Sequence, residues 1–210
     1  MNIPVVYEDN WIIVLDKPSG LLTIPAPNQR SSRTLTSILD DDAQEKGLSH
    51  RFHPCHRLDR ETSGLIIYAK GKSTQQKFLD MFARREIKKH YLAFVSGTPS
   101  PSQGSINKPI EGRQSVTKYR TIEKRKGFSV LEVQPLTGRT NQIRIHFKSI
   151  GHPILGEARF AFRRDFAIKA KRLCLHAKAL EFTHPCTGKA VKIDSGTPQD
   201  LEAFLDSHPE

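Results

Sequence analysis

His56-Arg57-Leu58-Asp59-Arg60-Glu61-Thr62-Ser63-Gly64 runs directly into Leu65-Ile66-Ile67-Tyr68-Ala69. The second stretch is an unbroken apolar run of strand length, the pattern of a strand buried on both faces. The first packs a histidine and four charged residues in front of it, so the charged segment stands at the mouth of a core strand. An acid between two arginines is expected to be ionised at neutral pH. Such a segment is either a reactive loop or a salt-bridged strand entrance, and spacing alone fits both.

Upstream, Val5-Val6-Tyr7 and Trp11-Ile12-Ile13-Val14-Leu15 flank the turn Glu8-Asp9-Asn10, a hairpin pattern. Lys17-Pro18-Ser19-Gly20 then breaks the second strand. Leu35, Ile38 and Leu39 suit one helix face that ends near Gly47. On the same stretch Asp40-Asp41-Asp42 diverge by ~100° per residue, which reads as a solvated face rather than an ion site.

Downstream, Ser73 with Gln76 three residues on predicts a capped helix carrying Phe78, Leu79, Met81, Phe82 and Ile87. Arg84, Arg85, Lys88 and Lys89 gather at its end, where the helix dipole favours cations. Strands are predicted for His90 to Val95, Val116 to Ile122 and Phe128 to Val133, with a loop over Pro99 to Gly104 and a turn over Glu123 to Gly127. Thr140 is predicted to cap a helix bearing Ile143, Phe147 and Ile150. Strands near Leu173 to Phe182 and Ala190 to Ile193 precede a last helix opening at Thr197-Pro198. The residues alone favour one mixed domain over 1–210, rich in antiparallel hairpins.

The chain has 210 residues, with 33 Lys plus Arg against 22 Asp plus Glu, a net charge of +11. That surplus suits a polyanionic partner through steering and counterion release, and it also serves plain solubility. No apolar run approaches the ~20 residues of a membrane span. The segment Met1-Asn2-Ile3-Pro4 carries no export pattern, so a cytoplasmic location is expected. The three cysteines, Cys55, Cys174 and Cys186, form no C-x-x-C pair and are expected to be reduced. Two His-Pro-Cys triplets, at 53–55 and 184–186, hold zinc-type ligands without the usual spacing, so no metal is expected. No P-loop, dinucleotide fingerprint or G-x-S-x-G is present.

The charged segment closely resembles the signature H-R-L-D-x-x-T-S-G of the RluA-type pseudouridine synthases, with all seven specified letters matched. Lys17-Pro18-Ser19-Gly20-Leu21 is similar to that family's K-P-x-G segment. Lys88-Lys89-His90-Tyr91 is similar to the lead-in to its active-site tyrosine. Thr137-Gly138-Arg139-Thr140-Asn141-Gln142-Ile143-Arg144 and Gly151-His152-Pro153-Ile154-Leu155-Gly156 resemble two further motifs. Leu175-His176-Ala177 and Thr183-His184-Pro185 echo two more. Asn141 stands where the family usually has histidine; an amide cannot titrate, and no catalytic role is assigned to it.

The resemblance implies an α+β fold, with a central, mostly antiparallel mixed sheet flanked by helices and loops and a basic catalytic cleft. It implies isomerisation of uridine to pseudouridine in a ribosomal RNA or tRNA stem-loop, with the base flipped out of its stack and no cofactor. It makes Asp59 the essential carboxylate, acting either by addition to an electrophilic carbon or by taking a ribose proton. Arg144 becomes the cation paired with it, gripping both carboxylate oxygens, and Tyr91 the ring that packs on the uracil. Arg57 and Arg60 either contact phosphate or brace the loop. Arg139, Arg163 and Arg164 are candidate RNA contacts; the last two lie in a stretch from Arg159 to Arg172 that interleaves cations with Phe160, Phe162 and Phe166. Strand patterns begin at Val5, so no separate N-terminal RNA-binding domain is expected; a monomer is also expected. A non-catalytic RNA-binding scaffold and a carboxylate-based nuclease are the rivals. The presence of both Asp59 and Arg144 opposes the first, and the lack of a second converging carboxylate opposes the second.

Overall fold

Asp9 sets the first turn: its Oδ1 accepts the amides of Trp11 and Ile12 at 2.8 and 2.9 Å, the local bonding that makes Asp a turn residue. The hairpin built on it pairs β1 (Val5–Glu8) with β2 (Ile12–Lys17) antiparallel. In this computed structural model residues 3–25 and 33–209 are described, apart from the side chain of Arg163. They fall into two compact units, Met1–Ile87 with Ala179–Ser195 and Lys88–Lys178 with Gly196–Glu210.

In the first unit β2 pairs antiparallel with β4 (Ser63–Ala69), from Ile12 opposite Ala69 to Lys17 opposite Gly64. Every residue of β4 is buried, as the unbroken apolar run requires. A two-residue strand, β3 (His53–Pro54), pairs with its end. Two helices belong to this unit, α1 (Leu35–Glu45) and α2 (Lys72–Arg84). Phe78 and Met81 of α2 join Ile12, Val14, Leu65, Ile67 and Phe182 in the core. Thr34 caps α1 in a reciprocal box with Ser37. The cap predicted at Ser73 is absent: α2 begins after Gly71, whose φ of 132° is open to glycine alone, and no side chain caps it.

The second unit arranges β5 (Lys88–Ser96), β8 (Phe128–Pro135), β7 (Val116–Arg125) and β6 (Gln103–Asn107) in that order, each neighbour antiparallel. Strand β7 continues through Arg125, so the turn before β8 is only Lys126-Gly127. Strand β6 starts inside the expected Pro99–Gly104 loop and continues to Asn107. It is an edge strand with Ile106 as its one buried residue, too polar to read as a strand. Helix α3 (Gln142–Ser149) packs on β7 through Phe147 and Tyr119, whose rings lie 5.6 Å apart. Helix α4 (Gln199–Asp206) sets Phe204 against Phe94 and Phe128. Strand β9 (Leu175–Thr183) runs from the second unit into the first, where its end pairs with β10 (Ala190–Asp194). The fold class is α+β, with antiparallel pairing throughout the named strand pairs of both units.

Burial pushes the thiols of Cys55 and Cys174 up to about 12, whereas Cys186 is half-exposed beside Lys77 Nζ at 3.8 Å. No helix among the described residues is long and apolar enough to cross a membrane.

Candidate active site

Asp59 sits on the connection from β3 to β4, half-buried, where its carbonyl accepts the Thr62 amide at 3.1 Å and closes a turn. Both flanks of the turn are tied to the segment after β2. On one side Thr23 Oγ1 donates to the Leu58 carbonyl at 3.1 Å and accepts the Leu58 amide at 3.3 Å. On the other, the Arg60 carbonyl accepts the Gly20 amide at 2.8 Å, and Arg60 Nε donates back to the Gly20 carbonyl at 3.0 Å. Ser19 Oγ adds a bond to the Glu61 carbonyl at 2.6 Å.

Lys17 completes the frame. Its ammonium is wholly buried and donates to the carbonyls of Leu21, Pro18 and Arg60 at 2.8, 3.0 and 3.3 Å. Buried charge is tolerable where such acceptors surround it. The two motifs are therefore one structure, a carboxylate turn held on a lysine-centred cage. Behind it His56 accepts the Ile67 amide at Nε2, 3.1 Å away, and packs on Phe82. Arg57 and Arg60 are both exposed, and Arg60 braces the turn in the way just described.

Tyr91 and Arg144 lie in the second unit. Tyr91 is buried on β5 opposite Val133 of β8. Arg144 is 3% exposed on α3, and its planar fork grips the buried Glu157. Its Nε and Nη2 donate to the two carboxylate oxygens of Glu157 at 2.6 and 2.8 Å. Its Nη1 donates to Asn141 Oδ1 at 2.9 Å, and its guanidinium lies 5.3 Å over the Phe160 ring. With the bond to Asn141, these contacts engage three of the five N–H donors of the guanidinium.

Asn141 is buried at the entry to α3. It precedes α3 in the left-handed conformation, φ 54°, which Asn tolerates well, and its side chain turns to Arg144 instead of capping the helix. The cap expected at Thr140 is thereby displaced by one residue and has no side-chain bond. Gln142 knots the same loop: Oε1 accepts Thr137 Oγ1 at 2.6 Å and the Arg139 amide at 3.1 Å, while Nε2 donates to Val116 O and Thr117 Oγ1. Arg139 is half-buried, its Nε without a hydrogen-bond partner.

Glu157 was not among the expected site residues. It is buried, and desolvation would raise its pKa, but the Arg144 bonds and the amides of Arg159 and Phe160 hold it below the usual carboxylate range. Its signal in the sequence is faint, a lone acid directly after Gly156. That glycine is required: a Cβ there would meet the Arg172 carbonyl oxygen at 1.9 Å.

The cation-aromatic stretch is only partly a free basic surface. Arg159 and Arg164 stack over Phe160 and Phe162 at 5.3 and 5.2 Å, and Phe162 is 66% exposed. The side chain of Arg163 lies outside the described residues. Arg172, by contrast, is committed to Asp200 of α4 through two bonds of 2.5 and 2.8 Å. Lys148 similarly pairs with Asp165.

The His-Pro-Cys triplets do structural work. His53-Pro54 forms β3, and His184 accepts the Cys186 and Thr187 amides at Nδ1 while its Nε2 lies 3.2 Å from Asp9. Among the described residues no three His, Cys, Asp or Glu side chains are grouped to hold a metal ion.

A family model described as RNA pseudouridylate synthase matches residues 11–149, a span that contains Asp59, Tyr91 and Arg144. The chain belongs to that family. The dual-specificity RNA pseudouridine synthase RluA of Haemophilus influenzae is 34% identical to this synthase over 207 residues, covering 91% of each chain. The ribosomal large subunit pseudouridine synthase D of Zymomonas mobilis is 33% identical over 228 residues, covering 96% of this chain and 71% of that one. Among solved structures, human RNA pseudouridylate synthase domain containing 4 superposes with a TM-score of 0.80 at 21% identity, over 98% of this chain and 94% of that one. Human RNA pseudouridylate synthase domain containing 1 gives 0.77 at 26% identity, over 98% and 86%. The synthase acts on RNA and converts uridine to pseudouridine.

Proposed function

We propose that this synthase isomerises specific uridines in ribosomal RNA or tRNA, with Asp59 as the working carboxylate, Arg144 as its cation and Tyr91 as the ring against the uracil. The observation that carries this is the framing of Asp59: a half-buried carboxylate on a turn pinned from both flanks, on a loop that matches the family signature letter for letter. A carboxylate carried on a fixed backbone is what covalent or proton-transfer work at the ribose needs. The reaction breaks the bond from N1 to C1′ and forms one from C5 to C1′. The C5 proton is lost and N1 gains one, so the balance closes with no oxidant, reductant or cofactor.

A relative named for the large ribosomal subunit supports ribosomal RNA as a substrate class, and one named for dual specificity supports more than one RNA target. The stacked pairs Arg159–Phe160 and Arg164–Phe162 support contact with unpaired nucleotides around the target. The test is a map of pseudouridine across total RNA from cells with and without the synthase, followed by reconstitution on the site found. Asp59→Asn keeps the side-chain shape and is expected to fold normally and make no pseudouridine. Appreciable turnover by the pure variant would sink the assignment of Asp59.

A further inference from the structure

Glu157 makes more hydrogen bonds than a bystander ion pair needs. Both its oxygens take Arg144, Oε2 from Nε at 2.6 Å and Oε1 from Nη2 at 2.8 Å. Oε1 also accepts the amides of Arg159 and Phe160, at 2.7 and 3.3 Å. The carboxylate is thus fixed by backbone before it fixes the guanidinium. Phe160, ordered by one of those amides, lies under the same guanidinium, and Asn141 Oδ1 takes Nη1. The side chain of Arg144 is therefore determined from three directions, and Glu157 is the common member of two of them.

A guanidinium on a flexible three-carbon stem gains nothing catalytically unless its plane is set, because charge-assisted bonds are directional. We infer that Glu157 is the positioning residue that sets the plane of Arg144 for the reaction and couples that plane to the start of the basic loop at Arg159. This rests on the reading that Arg144 serves Asp59. Glu157 itself touches neither base nor ribose in this scheme; it acts through Arg144. A misplacement of about 1 Å in such a group is enough to cost roughly a hundredfold in rate.

The experiment uses the whole chain and in vitro transcribed ribosomal RNA and tRNA carrying tritium at uridine C5, whose release counts turnovers. Single-turnover rates at saturating RNA are normalised to the folded fraction from circular dichroism. Glu157→Gln is expected to lose roughly a hundredfold in rate with RNA affinity within about threefold of wild type. Glu157→Asp, which keeps the charge and shortens the reach, is expected to recover part of that loss. The deciding comparison repeats Glu157→Gln in an Arg144→Lys background. A lysine cannot take the side-on grip, so the effect of Glu157→Gln should shrink to a few-fold, the coupling a double-mutant cycle measures.

The same fold-loss in both backgrounds, or a wild-type rate in folded Glu157→Gln, overturns the inference. If Glu157→Gln does not fold, Glu157→Asp in the two backgrounds decides by the same criterion. Arg144→Ala separates the two levels of the proposal. A near-normal rate there removes the role of Arg144 and this inference with it. A slow Arg144→Ala beside a fast Glu157→Gln removes only the inference.

Discussion

Lys17 is wholly buried, and its ammonium ties the Arg60 carbonyl to those of Pro18 and Leu21. Lys17→Met keeps most of the volume and removes these bonds, leaving carbonyls in the interior without that donor. The expected cost is about 2–3 kcal/mol of unfolding free energy, read from urea melts. The single-turnover rate should fall at least tenfold as well, because the turn holding Asp59 loses its anchor on the Arg60 side. An unchanged rate would mean that the Gly20 and Thr23 bonds suffice. Tyr91 offers a cleaner division of roles. Tyr91→Phe keeps the ring, so RNA affinity should survive better than in Tyr91→Ala, and equal affinities would count against stacking. The turn that carries Asp59 stands out in the sequence because the order of side chains around it is distinctive, whereas the motif before Tyr91 is short. The lysine cage and the grip of Glu157 do not stand out. Bonds to backbone carbonyls leave no trace in residue order, and Glu157 meets Arg144 across 13 positions with no periodicity between them.

His146 illustrates what α3 adds beyond carrying Arg144. It is wholly buried, with Nδ1 2.9 Å from Thr117 Oγ1 and Nε2 3.0 Å from the Lys108 carbonyl. Burial lowers its pKa from 6.5; the Lys108 carbonyl opposes that and the Lys108 charge adds to it. The folded value lies below the unfolded one, so as pH falls the unfolded chain takes up the proton first. This contribution to stability is complete above about pH 6.5 and is lost on the way down to the folded value. Thermal melts should therefore fall between pH 7 and pH 5, with a shallower slope in His146→Gln. Identical slopes would show that His146 is not the titrating group. The apolar stripe of α3 was readable from its spacing, but both misread caps share one cause. Ser73 and Thr140 satisfy a capping pattern, while the chain enters α2 and α3 through Gly71 and Asn141, in positive-φ conformations a hydroxyl cap does not use.

For the molecule as a whole the net charge of +11 predicts RNA binding that weakens steeply with salt. Arg159→Glu with Arg164→Glu should flatten that dependence by roughly one unit of log–log slope for each phosphate that the variant no longer neutralises. An unchanged slope would make the stacked pairs a solvated surface. The mixture of helices and antiparallel hairpins was readable from local patterns, and the α+β class from the family resemblance. The division into two units was not, because the chain crosses between them inside β9 and returns without a linker. That division gives the three cysteines a use. One closed thiol, Cys55, belongs to the first unit and one, Cys174, to the second, while Cys186 is open. A brief pulse of alkylating reagent should tag Cys186 at once, and the other two only when their surroundings breathe. Peptide mass spectrometry of the tagged chain then yields two separate clocks, one per unit, with no residue changed. If both closed thiols are tagged at one common rate under gentle denaturant, the halves open together; if the rates part, each half has its own stability.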